Sequence, residues 1–161
     1  TIDAVLSVCE KVDRTLKAGA MAMGATVEIT TLPGFLPLQN DFRLQKLHTS
    51  NVNQLLGNGN TRPRGHETGS SDMGDLSAIM PIIHPFIASA TGRSHGVDYL
   101  VHDYNLGVLT PAKSMAATVL DLLSNGAKQA GEIVRSYSPP LKRTEYLSTI
   151  REFSSEETFR Y

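Results

Sequence analysis

Ile2, Val5, Cys9, Val12, Leu16, Ala20 and Met23 recur at steps of three and four, a spacing that constrains the fold more than any other feature. Residues so spaced share one face of an α-helix, so the segment predicts an amphipathic helix from Ile2 to Met23. Asp3, Glu10, Lys11, Asp13, Arg14 and Lys17 take the other faces, and Gly24 predicts the stop. Such a stripe needs a sheet or another helix to cover it. The nearest β pattern is Ala25 to Leu32, where Val27 and Ile29 alternate with Thr26, Glu28 and Thr30, closed by Pro33-Gly34. The sequence opens at Thr1, without Met, directly into the helix. This predicts a piece of a longer polypeptide, with the stripe covered by a missing N-terminal portion or by a second copy.

Farther along, Asn40 to Leu56 predicts a helix capped by Asn40 or Asp41 and stopped at Gly57. Asn58 to Ser71 is a polar, glycine-rich loop, and Met73 to Met80 a short helix. Pro81 to Ala90 is almost wholly apolar and predicts a strand buried on both faces. Thr110 and Pro111 open the clearest helix, with Ala112, Ala116, Val119, Leu120 and Leu123 inward and Asn125-Gly126 at its end. Ala127 to Tyr137 and Leu141 to Phe153 predict two further helices, and Ser154 to Tyr161 a frayed tail. The order predicts a mixed α/β architecture. Only about two strands are evident, too few for a sheet, which again predicts a fragment.

Fifteen basic against sixteen acidic residues leave a formal charge of -1, which predicts no nucleic-acid partner. No continuous apolar run reaches bilayer length, which predicts no membrane partner. The single cysteine, Cys9, excludes an intrachain disulfide. Together with the lack of a basic-then-apolar leader pattern it predicts a cytoplasmic location.

Among five histidines, His95 has the most suggestive setting, the turn Gly92-Arg93-Ser94-His95-Gly96 just past the apolar segment. Imidazole is the commonest zinc-ligating nitrogen, and open α/β sheets bind ligands at the carboxyl ends of their strands. A polar turn residue explains the same position. Asp72 either caps the short helix after it or orients a ligand near His95. His84 reads as a hydrogen-bonded core histidine, His102-Asp103 as an exposed pair, and His66 as a solvent-facing loop residue. Ser70-Ser71 lacks the spacing of a nucleophile elbow, and no phosphate loop, dinucleotide fingerprint or paired-cysteine motif occurs.

The run Gly69-Ser70-Ser71-Asp72-Met73-Gly74-Asp75-Leu76-Ser77, followed by Pro81, Ile83-His84-Pro85 and Ser94-His95, resembles one family's C-terminal signature. It is the zinc-dependent family of aminoacylases, glutamate carboxypeptidases and aminobenzoyl-glutamate hydrolases, in its dipeptidase-like amidohydrolase branch. The resemblance covers about residues 1 to 125. It implies an α/β fold: residues 1–34 end a small lid domain that mediates dimerisation, and 35–161 form the C-terminal part of a catalytic domain. It implies two divalent metal ions in the whole enzyme, zinc or alternatively manganese or cobalt, with His95 as a late metal ligand. Asp72, Ser71 and Gly92 would be substrate-binding or would orient a ligand. The implied substrates are N-acyl amino acids or short dipeptides. The family's His-x-Asp motif is absent, and the only Glu-Glu pair, Glu156-Glu157, lies in the tail. The chain by itself is therefore expected to contain no catalytic residue and to bind metal weakly at most. The alternative is a catalytically dead, stand-alone binding or interaction module.

Overall fold

The computed structural model describes all of Thr1 to Tyr161. Its elements in order are α1 (Ile2–Met23), β1 (Thr26–Thr31), α2 (Phe42–Leu56), α3 (Met73–Ile79), β2 (Ala90–Thr91), β3 (Leu100–Val101), α4 (Thr110–Ser136), α5 (Arg143–Glu152) and β4 (Ser155–Arg160). The fold is mixed α/β with two small antiparallel sheets. It divides into two compact units. The first holds Thr1–Leu38, Ser70–Ile79 and Pro139–Tyr161, and the second Gln39–Gly69 and Met80–Ser138.

In the first unit, Thr1 caps α1 by accepting the Ala4 N–H at 3.2 Å, and Gly24 ends it in the left-handed conformation, φ 63°. β1 follows with the expected alternation: Ile29 is buried, and Thr26, Glu28 and Thr30 are exposed. Its partner corrects the expected frayed tail. Residues 155–160 form β4, antiparallel to β1, with Val27 opposite Phe159 and Ile29 opposite Glu157. The tail is polar because most of this two-stranded ribbon faces solvent, and its ladder needs backbone rather than side-chain chemistry. α1 meets this ribbon through Ala20, which is buried, and through the Lys17–Glu157 ion pair at 2.6 Å. Much of its apolar surface stays uncovered: Val5, Val8, Val12 and Leu16 are all exposed.

α3 is fixed against the segment after β1. The Asp75 carboxylate accepts the Leu36 N–H at 2.8 Å, and Leu36 is buried. A Cβ on Gly74 would fall inside contact distance of the Leu36 carbonyl. Ser77 is fully buried and donates to the Gly74 carbonyl at 2.6 Å. Leu141 N–H bonds the Ala78 carbonyl at 3.0 Å, bringing the start of α5 to the end of α3.

The second unit is organised by α2 and α4. Asp41 caps α2, its carboxylate accepting the N–H groups of Arg43 at 2.9 Å and Leu44 at 3.1 Å and the Arg43 guanidinium at 2.6 Å. The Arg43 side chain holds this carboxyl below its ordinary range, against the opposing effect of burial. Arg43 also reaches the Ser136 hydroxyl at the end of α4. Asp41→Ala is expected to cost about 1–2 kcal/mol by removing the cap. In the wild type that stabilisation is complete above the carboxylate's ordinary value of 3.8 and fades as pH falls through its lowered folded value. Urea unfolding at neutral pH and near pH 3 checks both. Equal midpoints for wild type and variant at neutral pH would refute the assignment.

Pro81 to Ala90 is not the expected buried strand. Only Ala90–Thr91 is regular, paired with Leu100–Val101 in a short hairpin, and Phe86 and Ile87 are exposed. Pro81 and Pro85 supply no N–H, and no neighbouring strand lies alongside. The segment instead runs extended beside the start of α2, through Asp41 N–H to the Ile82 carbonyl at 2.8 Å and His84 N–H to the Asn40 side chain at 2.8 Å.

α4 begins differently from expectation. A π-helical turn, Asn105–Leu109, leads into it, and Thr110 is itself helical, its hydroxyl donating to the Asn105 carbonyl at 3.3 Å. The expected Asn125-Gly126 break is present as a kink: Ser124 to Ala127 are non-helical, with positive φ at Asn125, Gly126 and Ala127. Ala112, Ala116, Val119, Leu120 and Leu123, all expected inward, are exposed. By length and composition alone Asn105–Ser136 satisfies the requirement of a membrane span, which the run-length criterion had excluded. The kink interrupts its hydrogen-bond ladder, a poor arrangement in hydrocarbon.

Candidate functional site

His95 lies in the loop between β2 and β3, exposed, with φ 62°. The left-handed conformation costs a non-glycine residue roughly 1–2 kcal/mol, so the loop around it must enforce the geometry. Gly92 does part of this. Its φ is 83°, and a Cβ there would collide with the Asp98 carbonyl. The Gly96 N–H closes a turn on the Arg93 carbonyl at 2.7 Å, and Tyr99 N–H bonds the Gly96 carbonyl at 3.2 Å. The imidazole is thus presented at a tight hairpin tip. It follows a two-residue strand, not the carboxyl end of a buried one.

Ser71 and Asp72 belong to the first unit, Gly92 and His95 to the second. Ser71 takes the role considered for Asp72: its hydroxyl oxygen accepts the Met73 N–H at 3.3 Å at the entry to α3. That hydroxyl donates to the Asp72 carboxylate at 3.2 Å. Asp72 is exposed, and its carboxylate caps nothing. The rest of the motif is structural. Gly74 permits close approach of the Leu36 backbone, Asp75 holds it, and Ser77 fills the space beneath. Asp75 also acts on Tyr146 of α5. Burial, then that carboxylate, pushes the Tyr146 phenol upward.

Of the other histidines, His66 and His102 are exposed, as expected. Asp103 is not a free partner for His102, since it caps the turn that follows by accepting the Leu106 N–H at 2.8 Å. His84 departs from the expected hydrogen-bonded core residue. Its Nδ1 is sealed from solvent without a partner, and its ring lies 4.8 Å from that of Phe86, over which the Arg64 guanidinium sits at 4.7 Å.

The sequence reading passed over His48. With Asn51 it forms a polar group on α2, facing Thr118 and Asp121 of α4. Burial pushes the His48 imidazole below its ordinary value. The i, i+3 spacing puts His48 and Asn51 on one face of α2, but nothing in the sequence marks that face as the one that meets α4.

No three histidine, cysteine, aspartate or glutamate side chains converge as a metal-binding group. His95 alone does not fit a zinc site, which takes three or four protein ligands. Comparison with family models, with curated proteins and with solved structures finds no match to this chain.

Proposed function

We infer that this chain is the C-terminal portion of a metal-dependent amidohydrolase acting on N-acyl amino acids or short dipeptides. In that reading residues 1–34 end a lid domain, 35–161 belong to the catalytic domain, and the protein is cytoplasmic. The observation that carries it is the strained presentation of His95: an exposed imidazole in a left-handed backbone, enforced by Gly92 and its turn. Strain of this kind is retained where a side chain must be aimed. The exposed Asp72, oriented by Ser71, adds a carboxylate with no structural task of its own. The remaining metal ligands and the general-base glutamate would come from the missing N-terminal portion. The metal would polarise the amide carbonyl and lower the pKa of a bound water.

The second reading is a stand-alone binding or interaction module without catalysis. One experiment separates them. The 161-residue chain and its complete reading frame are each assayed for metal content after dialysis and for hydrolysis of acyl-amino acids and dipeptides. The chain alone should hold no stoichiometric metal and show no turnover. The complete protein should turn over, and His95→Ala within it should lose metal and at least about a hundredfold in activity. A start codon just before Thr1, or a complete protein indifferent to His95→Ala, rejects the amidohydrolase reading.

A further inference from the structure

The last turn of α2 and the start of α4 enclose a half-open cavity of about 250 Å³, lined by Leu55, Leu56, Asn105, Leu109, Thr110 and Lys113. Its shape comes from the π-helical turn. The Thr110 N–H bonds the Asn105 carbonyl, five residues back, and the Thr110 hydroxyl donates to the same oxygen at 3.3 Å. A turn wider by one residue than an α-helical one sets Asn105 above Thr110, with Leu109 beside it. This wall is fixed from behind. Gly107 lies so close to buried Ser89 that a Cβ would collide with it, and Asp103 spends its carboxylate on the Leu106 N–H at 2.8 Å. Two kinds of surface meet in the cavity. Leu55, Leu56 and Leu109 give apolar walls, while Lys113 gives an ammonium in no ion pair and Asn105 a carboxamide in no hydrogen bond. No acidic residue lines it. The carbonyls that end α2 would repel an anion, but Asn60 Nδ2 covers them, donating to Leu56 at 2.7 Å and Gly57 at 3.3 Å.

We propose that this cavity binds a short-chain aliphatic carboxylate, its head at Lys113 and Asn105 and its tail against the three leucines. The Lys113 ammonium attracts the carboxylate, and the Asn105 amide donates a hydrogen bond to it. The tail supplies most of the affinity, since each methylene taken out of water adds to it. The head supplies the selectivity: an uncharged group leaves the ammonium without a counter-ion, and a cationic one is repelled. The size of the cavity limits the tail to a few carbons. Neither His95 nor any metal enters this site, so its failure would leave the amidohydrolase reading untouched.

The test is ¹⁵N-resolved NMR on the whole chain, titrated separately with hexanoate, hexanol and acetate. Hexanoate should shift the amide signals of 55–57 and 105–113 and saturate. Hexanol keeps the tail without the charge and should bind roughly three- to tenfold more weakly. Acetate keeps the charge without the tail and should bind at least about tenfold more weakly. Lys113→Met retains the aliphatic stem and removes the ammonium, so it should bind hexanoate no better than hexanol. Lys113 is exposed, and its replacement disturbs no packing. Hexanol binding as tightly as hexanoate, or undiminished hexanoate binding by the variant, overturns the proposal. Shifts confined to Val5–Leu16 of α1 or Met115–Leu123 of α4 would mean adsorption to exposed apolar surface, and overturn it too. If the variant does not fold, the comparison of hexanoate with hexanol on the unaltered chain decides.

Discussion

Gly74→Ala is expected to destabilise the first unit by about 2–3 kcal/mol, the upper range for forcing an extra carbon into a closed site. The atom in the way is the Leu36 carbonyl oxygen, part of the backbone and not the end of a flexible side chain. Moving it aside would stretch the Leu36 N–H bond to Asp75, 2.8 Å long, and lift buried Leu36 from its place. Gly65→Ala is the matched control, because nothing lies within 4 Å of its added carbon. In an exposed loop it should leave stability unchanged or raise it slightly, by restricting the unfolded chain. Urea unfolding followed by circular dichroism compares the two. Coincident midpoints for both variants would mean that α3 does not pack on Leu36 as described.

The second large effect concerns association. Val5, Val8, Val12 and Leu16 are between 45% and 56% exposed, on a helix whose other side is engaged with β1 and β4. At low micromolar concentration and above, light scattering should report a mass greater than one chain. Val5→Asp with Val12→Asp should return it to that of a single chain. Burying each valine contributes about 1.5–3 kcal/mol, so the pair should shift the dissociation constant by roughly 10²–10⁴. A wild-type chain already single at every concentration would show that α1 does not use this face for self-association.

Local patterns were legible where neighbouring residues alone decide the structure. α1 ends at Gly24, α2 starts at Asp41, and the Asn125-Gly126 break kinks α4, each through chemistry within a few residues. Pro81 to Ala90 was misread because apolar content encodes neither pairing nor burial: Phe86 and Ile87 are exposed, and Pro81 and Pro85 deny the segment donors. Ser154 to Tyr161 was misread for the opposite reason. Its polarity hid a strand whose partner lies near the other end of the chain. At the candidate site, the turn around His95 could be read from its glycines. The left-handed backbone of His95 and the capping role of Ser71 depend on hydrogen bonds that residue types do not encode. The His48 network depends on α2 meeting α4, some 67 to 70 residues apart in sequence, and no local pattern announces that contact.

The β1–β4 pairing also sets a timetable for synthesis. β1 ends at Thr31 and β4 starts at Ser155, so 124 positions (155 − 31) must be polymerised before the first ladder bond can close. At about 5–20 residues per second, β1 waits for roughly 6–25 seconds with both edges open. Closing so long a loop is slow as well as late, since its entropy is lost before any ladder bond rewards it. During that interval the nascent chain exposes an unpaired strand edge beside the apolar face of α1, the combination that recruits chaperones or neighbouring chains.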